Sequence, residues 1–309
     1  MSAAPKASRL IDRLPPVRGR LSEGYALAKV TWFQVGGVAE VMFRPEDEAD
    51  LAAFLRDRPH DVPVTVLGVG SNVLVRDGGI DGVVVRLGRA FVGVTSDGVD
   101  VRAGAGALDA NVAAVAARSG IAGLEFLSGV PGTIGGAVRM NAGAYGREIK
   151  DVLVSARCLN DRGQVHELDR EALGLSYRQA RLPRDWIVVA AHLRGEPGDA
   201  ASIAARIDDV HRRREASQPV RTRTGGSTFK NPGGPDGSPK AWELIDRAGC
   251  RDLTIGGAHV SPMHCNFLEN TGSASAADLE ALGEEVRRRV FDSCGVMLQW
   301  EIERLGRRA

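Results

Sequence analysis

The run Gly129-Val130-Pro131-Gly132-Thr133-Ile134-Gly135-Gly136-Ala137-Val138-Arg139-Met140-Asn141-Ala142-Gly143-Ala144-Tyr145 packs five glycines and one proline into seventeen residues, and it is apolar and nearly uncharged. A solvated linker is richer in Ser, Glu and Lys. This run reads instead as ordered backbone that comes close to something. Glycine permits approaches that a Cβ blocks, and successive amide N–H groups in such a loop can face a phosphate. The glycines alone leave two readings open: a nucleotide or dinucleotide cofactor lying against the loop, or a set of tight turns between short strands.

Working outward, glycine is in excess along the whole chain, 38 of 309 residues or about 12%, against an average near 7%. That favours turns and close backbone approaches over a helical bundle. The length calls for two or three domains, and a hydrophobic fraction of 43% is ordinary for a globular protein. A formal net charge of +1 supplies no global field for nucleic acid or a membrane surface. The basic runs at 212–214 and 287–289 fall in helix-like segments, as solvated faces or, less favoured, phosphate contacts. The four cysteines, Cys158, Cys250, Cys265 and Cys294, form no Cys-x-x-Cys pair, which suits a reducing compartment. His259, His264 and Cys265 match no zinc spacing, so no metal is expected. The N-terminus lacks a signal-peptide core and no apolar run is long enough to span a membrane. A cytoplasmic protein is expected.

Residues 1–20 show no periodicity and read as a mobile tail. Short β-branched runs at 64–67 and 83–87 read as strands, and 91–102 alternates around Asp97-Gly98 as a hairpin. Residues 108–118 read as a helix ended by Gly120, and 152–159 with 165–168 as paired strands around Asn160-Asp161-Arg162-Gly163. A strand at 187–193 and a polar helix at 202–215 follow. The Gly, Thr, Pro and Ser content of 221–239 reads as loop, and 241–248 as a short helix. The clearest helix is 275–294: Ser275 and Asp278 make a capping-box start, Leu279, Leu282, Val286 and Val290 share one face, and Gly295 ends it. A last strand is expected over 297–305. Strands dominate the middle and the last third mixes both, which predicts an α+β fold.

Gly68-Val69-Gly70-Ser71-Asn72 follows a strand-like run but fails the Rossmann fingerprint, since Val73 stands at its sixth position. Gly104-Ala105-Gly106 fails likewise, with Asp109 there. The stretches Leu67-Gly68-Val69-Gly70-Ser71-Asn72-Val73-Leu74-Val75 and Gly123-Leu124-Glu125-Phe126-Leu127-Ser128-Gly129-Val130-Pro131-Gly132-Thr133-Ile134-Gly135-Gly136 resemble the flavin-binding half of the UDP-N-acetylenolpyruvoylglucosamine reductase family. Ser176-Tyr177-Arg178, Gly226-Ser227-Thr228-Phe229-Lys230-Asn231-Pro232 and Gly295-Val296-Met297-Leu298-Gln299-Trp300-Glu301-Ile302 continue the resemblance in the same order, over residues 28–305.

The resemblance implies a two-part FAD-binding module of the vanillyl-alcohol-oxidase type and then a smaller α+β substrate domain, with units at 21–88, 89–198 and 199–309. It implies an enzyme of peptidoglycan precursor synthesis. NADPH would reduce noncovalent FAD, and the flavin would reduce an enolpyruvyl ether on a UDP-sugar to a lactyl ether. Neither nucleic acid, membrane insertion nor an obligate protein partner is implied. Gly68, Gly70, Ser71, Asn72, Val130, Pro131, Gly132, Thr133, Gly135, Gly136, Asn141 and Gly143 would hold the cofactor. By resemblance Ser227 is the proton donor, Arg178 the carboxylate and enolate binder, and Glu301 a protonated partner; Tyr177, Lys230 and Asn231 would touch substrate. Read without the resemblance, Ser227 caps a turn, Arg178 and Glu301 face solvent, and Lys230 and Asn231 are solvated loop. Glu303 stands where several family members carry arginine, which removes one expected anion contact. Two other readings stay open: the same module oxidising a sugar or alcohol with oxygen, and a nucleotide-binding sensor without catalysis.

Overall fold

The computed structural model describes residues 9–234 and 237–309. A four-stranded mixed sheet runs in the order Arg20–Ala26, Val38–Arg44, Ile80–Val85, Val64–Val66, with only the first pair antiparallel. The helix Glu48–Asp57 covers it. Asp47 caps the helix by accepting from the Asp50 N–H, and Leu51, Phe54 and Leu55 go down onto the sheet, where the Phe54 and Phe43 rings lie 4.5 Å apart.

A second, five-stranded antiparallel sheet has the order Val165–Asp169, Leu153–Leu159, Ile187–Arg194, Asp100–Gly104, Val94–Asp97. Its hairpin turns over Gly98 and Val99, with Gly98 in the left-handed region, so the turn lies one residue beyond the expected Asp97-Gly98 pair. Helices Asp109–Arg118 and Ile134–Met140 share its apolar core. Leu159, Ile187 and Val189 join the core of the first sheet, so the two sheets are packed together.

The third sheet, Arg223–Ser227, Phe267–Asn270, Ala258–Val260, Thr254–Ile255, is antiparallel. Helices Ala241–Arg247 and Ala276–Cys294 cover it. The second begins with the predicted capping box: the Asp278 N–H donates to Ser275 Oγ and the Ser275 N–H donates to Asp278. It ends on left-handed Gly295. The α+β class stands, and the four cysteines are free. Among the described residues no helix is long and apolar enough to cross a membrane.

Three expectations change. Residues 1–8 of the predicted tail lie outside the described residues, but residues 9–20 are not mobile. Leu10 is buried against the first core in helix Leu10–Arg13, and the Arg18 and Gly19 N–H groups donate to buried Asp50. The helix Ala200–Ser217 packs Ile207 onto the central core and receives the Tyr145 hydroxyl on Val210 O. The boundary expected at 199 falls directly before this helix. The presumed loop 221–239 contains an edge strand. Its glycines are there because Gly225 runs against the Phe33 ring and Gly226 is left-handed at φ +78°. Finally, only Glu303–Leu305 of the expected last strand is a strand, and it pairs in parallel with Val73–Val75, far away in sequence.

Candidate active site

The two glycine segments meet. A Cβ on Gly68 would lie 2.8 Å from Thr133 Oγ1, and one on Gly132 would lie 3.7 Å from Ser71 Oγ. Gly70 is held at φ +69°, where a Cβ would come within 2.5 Å of Val30 O; its carbonyl accepts from the Trp32 N–H. The Gly135 N–H is tied to Ala105 O at 2.9 Å, which pins the second segment to the central sheet. None of the N–H groups of residues 68–72 donates to another protein group among the described residues. A row of unengaged amides beside a wall of glycines, where a Cβ would fill the space, fits the diphosphate of a dinucleotide such as FAD.

Asp109 lies beneath this wall. Its N–H donates to Gly132 O, and its carboxyl oxygens sit under Gly132, fully buried, with no hydrogen-bond partner among the described residues. Burial pushes this carboxyl well above the ordinary carboxylate range.

Asn141 and Gly143, also expected at the cofactor, lie at the end of the same run. Asn141 is fully buried as the left-handed cap of Ile134–Met140. Its amide donates to Glu148 Oε2 at 3.1 Å and Ser176 O at 3.0 Å, and accepts from the Lys150 N–H at 2.8 Å. Gly143 lacks a Cβ because Arg147 O lies 2.6 Å from where it would sit. The Gly143 carbonyl accepts from Arg178 Nη2 at 3.1 Å.

Arg178 sits at the tip of a two-residue turn closed by paired hydrogen bonds between Ser176 and Gln179. Its φ of +54° is costly for a residue with a side chain. The guanidinium lies between two carboxylates. Nε donates to Glu301 Oε1 at 2.6 Å, and Nη1 lies 3.9 Å from Glu148 Oε1. The side chains are 18%, 12% and 9% exposed for Arg178, Glu301 and Glu148, so neither the arginine nor Glu301 is the solvent-facing group the bare sequence suggested. Burial pushes the Glu301 carboxyl above the ordinary range, against the pull of Arg178 and, less strongly, Lys230.

Ser227 reaches this cluster through backbone. Past the end of strand Arg223–Ser227, the Glu301 N–H donates to Thr228 O at 2.8 Å, Phe229 bridges Trp300, and the Lys230 N–H donates to Gln299 O. Ser227 is therefore one residue from the point where the Glu301 segment crosses, half-buried, and its hydroxyl makes no hydrogen bond among the described residues. Asn266 anchors the crossing: its carbonyl accepts from the Phe229 N–H and its amide donates to Phe229 O. The Asn231 N–H donates to the Tyr177 hydroxyl at 3.3 Å, which joins the two expected substrate segments. Asn72 ties the halves together, since its amide donates to Glu301 O at 3.2 Å and its carbonyl accepts from the Glu303 N–H. The Glu303 side chain is exposed.

Sequence reasoning missed Glu148, Asn266 and Asp109. Glu148 carried a faint signal, an acid directly before a fully buried isoleucine, Ile149. Asn266 and Asp109 carried none that distinguishes them from turn and first-turn helix residues.

Comparison with known proteins agrees with this geometry. A model of the FAD binding domain matches residues 39–169, and a model of the UDP-N-acetylenolpyruvoylglucosamine reductase C-terminal domain matches residues 218–305. The UDP-N-acetylenolpyruvoylglucosamine reductase of Rhodospirillum rubrum is 62% identical over 96% of this chain and 93% of its own length. That of Parvibaculum lavamentivorans is 56% identical over 99% of this chain and 97% of its own. The crystal structure of the Thermus caldophilus enzyme superposes with a TM-score of 0.78 at 35% identity, over 94% of this chain and all of that one. The chain belongs to the UDP-N-acetylenolpyruvoylglucosamine reductase family.

Proposed function

We propose that this chain reduces UDP-N-acetylglucosamine enolpyruvate to UDP-N-acetylmuramate, a step of peptidoglycan precursor synthesis, at a site where Ser227, Arg178 and Glu301 manage the proton and the charge. The observation that carries the reading is the crossing of the Ser227 and Glu301 segments beside the Arg178 turn. FAD held by the glycine segments would supply the hydride chemistry, carrying a hydride from NADPH to the vinyl methylene carbon of the substrate.

That addition leaves an electron pair on the neighbouring carbon, delocalised into its carboxylate. Arg178 offers a planar donor set for the carboxylate, and a preorganised donor of this kind is worth about 3 kcal/mol of barrier. The Ser227 hydroxyl delivers the proton that completes the new C–H bond. Glu301, which burial pushes toward its protonated form, is assigned to donate a hydrogen bond toward the growing enolate. An oxidase acting on an alcohol needs an ionised base instead, which the raised Glu301 disfavours.

We assign noncovalent FAD to Gly68, Gly70, Ser71, Asn72, Val130, Pro131, Gly132, Thr133, Gly135 and Gly136. Lys230, Asn231 and Tyr177 are assigned to the diphosphate and sugar. We further infer units at 21–88, 89–217 and 218–309, supported by the packing of Ala200–Ser217 on the central core, and a cytoplasmic location, supported by the free thiols.

The test is NADPH consumption by the purified flavoprotein with and without UDP-N-acetylglucosamine enolpyruvate. The expected outcome is turnover that depends on that substrate. Flavin that NADPH reduces but the substrate does not reoxidise would overturn the substrate assignment.

A further inference from the structure

Glu148 is a carboxylate with no role in the scheme above. Its residue is 7% exposed, and it comes from the short strand Arg147–Glu148, far from Arg178 and Glu301 in sequence. Its side chain and that of Asp151 form a capping box at the start of the short 3-10 turn Ile149–Asp151, each accepting from the other's backbone N–H. Its N–H donates to Asp151 Oδ2 at 2.8 Å, and its Oε2 accepts from Asn141 and pairs with Lys150 Nζ at 2.6 Å. Its Oε1, buried, has no hydrogen-bond partner among the described residues and faces Arg178 Nη1 at 3.9 Å. Beyond the guanidinium lie Glu301, Lys230 and the Tyr177 ring, 5.1 Å from the Arg178 guanidinium carbon.

Arg178 is thus clasped from both sides, on a backbone conformation that the surroundings must impose. A guanidinium offered a single buried carboxylate would commit its charge to it. With a second carboxylate behind it, the charge is divided.

We propose that Glu148, braced by Asn141 and Lys150, is a positioning residue that holds Arg178 in the site and draws part of its charge away from Glu301. This rests on the roles given above to Arg178 and Glu301. In this proposal Glu148 acts through Arg178, whose Nη1 lies 3.9 Å from its Oε1.

The experiment compares Glu148→Gln, Glu148→Asp and Glu301→Gln in the FAD-loaded enzyme by stopped flow, following flavin reduction by NADPH and reoxidation by the enolpyruvyl substrate separately across pH. Glu148→Gln retains the amide partner Asn141 but removes the charge. Its flavin content and reduction by NADPH are expected within about twofold of wild type, and its reoxidation slowed on the order of 10- to 100-fold. With the whole charge of Arg178 directed at Glu301, that carboxyl loses its proton at lower pH. The high-pH limb of reoxidation therefore moves down by roughly one unit. Glu148→Asp keeps the charge on a shorter arm, so its limb stays in place while its rate falls less.

Wild-type reoxidation and an unmoved limb in Glu148→Gln would overturn the proposal. So would equal loss of both half-reactions in the Gln and Asp variants, the sign of a merely structural carboxylate. Glu301→Gln separates the two ideas. If its limb persists, the acid role of Glu301 fails, and slowed reoxidation in Glu148→Gln alone still upholds the positioning of Arg178.

Discussion

Residues 68–72 and 130–136 offer a ligand mostly amide groups and the spaces where side chains are missing. Residues 178, 227 and 301 offer a guanidinium, a hydroxyl and a carboxyl, delivered by a strained turn, a strand end and the crossing near the chain's end. The first region is specified by what glycine permits. The second is specified by which distant segments the fold brings together. A backbone site tolerates change in residue type only where no Cβ is added, whereas a side-chain site can keep its fold and lose its chemistry.

The largest expected effect tests that separation. Ser227→Ala removes one oxygen from a half-buried hydroxyl that anchors nothing. Flavin loading and reduction by NADPH should persist, while reoxidation by the enolpyruvyl substrate falls by roughly two to four orders of magnitude. Normal turnover would remove Ser227 from the mechanism and blur the line between the regions.

A smaller effect is expected in the other region. Gly70→Ala places a methyl 2.5 Å from Val30 O on a left-handed backbone, a strain of about 1–3 kcal/mol. Retention of FAD, read as flavin absorbance per protein after dialysis, should weaken on the order of tenfold, with the stability of the remaining fold little changed. Unchanged flavin affinity would detach this loop from the cofactor.

The smallest effect concerns the acid under the glycine wall. Because burial raises the Asp109 carboxyl above its unfolded value, its contribution to stability is intact below the ordinary carboxylate range and is lost as pH rises toward the raised value. Asp109→Asn removes that dependence. The variant should gain stability over wild type as pH rises above the ordinary carboxylate range, read by thermal melting. A constant difference over that rise would show that Asp109 does not titrate there.

How far each region was legible follows from the same contrast. The glycine segments announced themselves because their constraint is local: a missing Cβ is visible one residue at a time. The helix Ala276–Cys294 was legible for the same reason, since its cap, face and stop lie within its own residues. Residues 178, 227 and 301 were found only through family resemblance, because nothing local separates them from a surface arginine, a turn serine and a solvated glutamate. Asn141 shows what position alone leaves out. It sits in the glycine run, yet its amide faces inward to Glu148. The tail expected over residues 1–20 lacked periodicity, but a single buried leucine, Leu10, and backbone bonds to Asp50 order its end without any.

The parallel pairing of Glu303–Leu305 with Val73–Val75 has a consequence for the order of assembly. The strand directly after the first glycine segment, and the Asn72 carbonyl with it, find their partners only at the far end of the chain. Closing so long a loop is entropically slow. During synthesis, the strand Val73–Val75 therefore waits for residues 303–305 before this pairing can form.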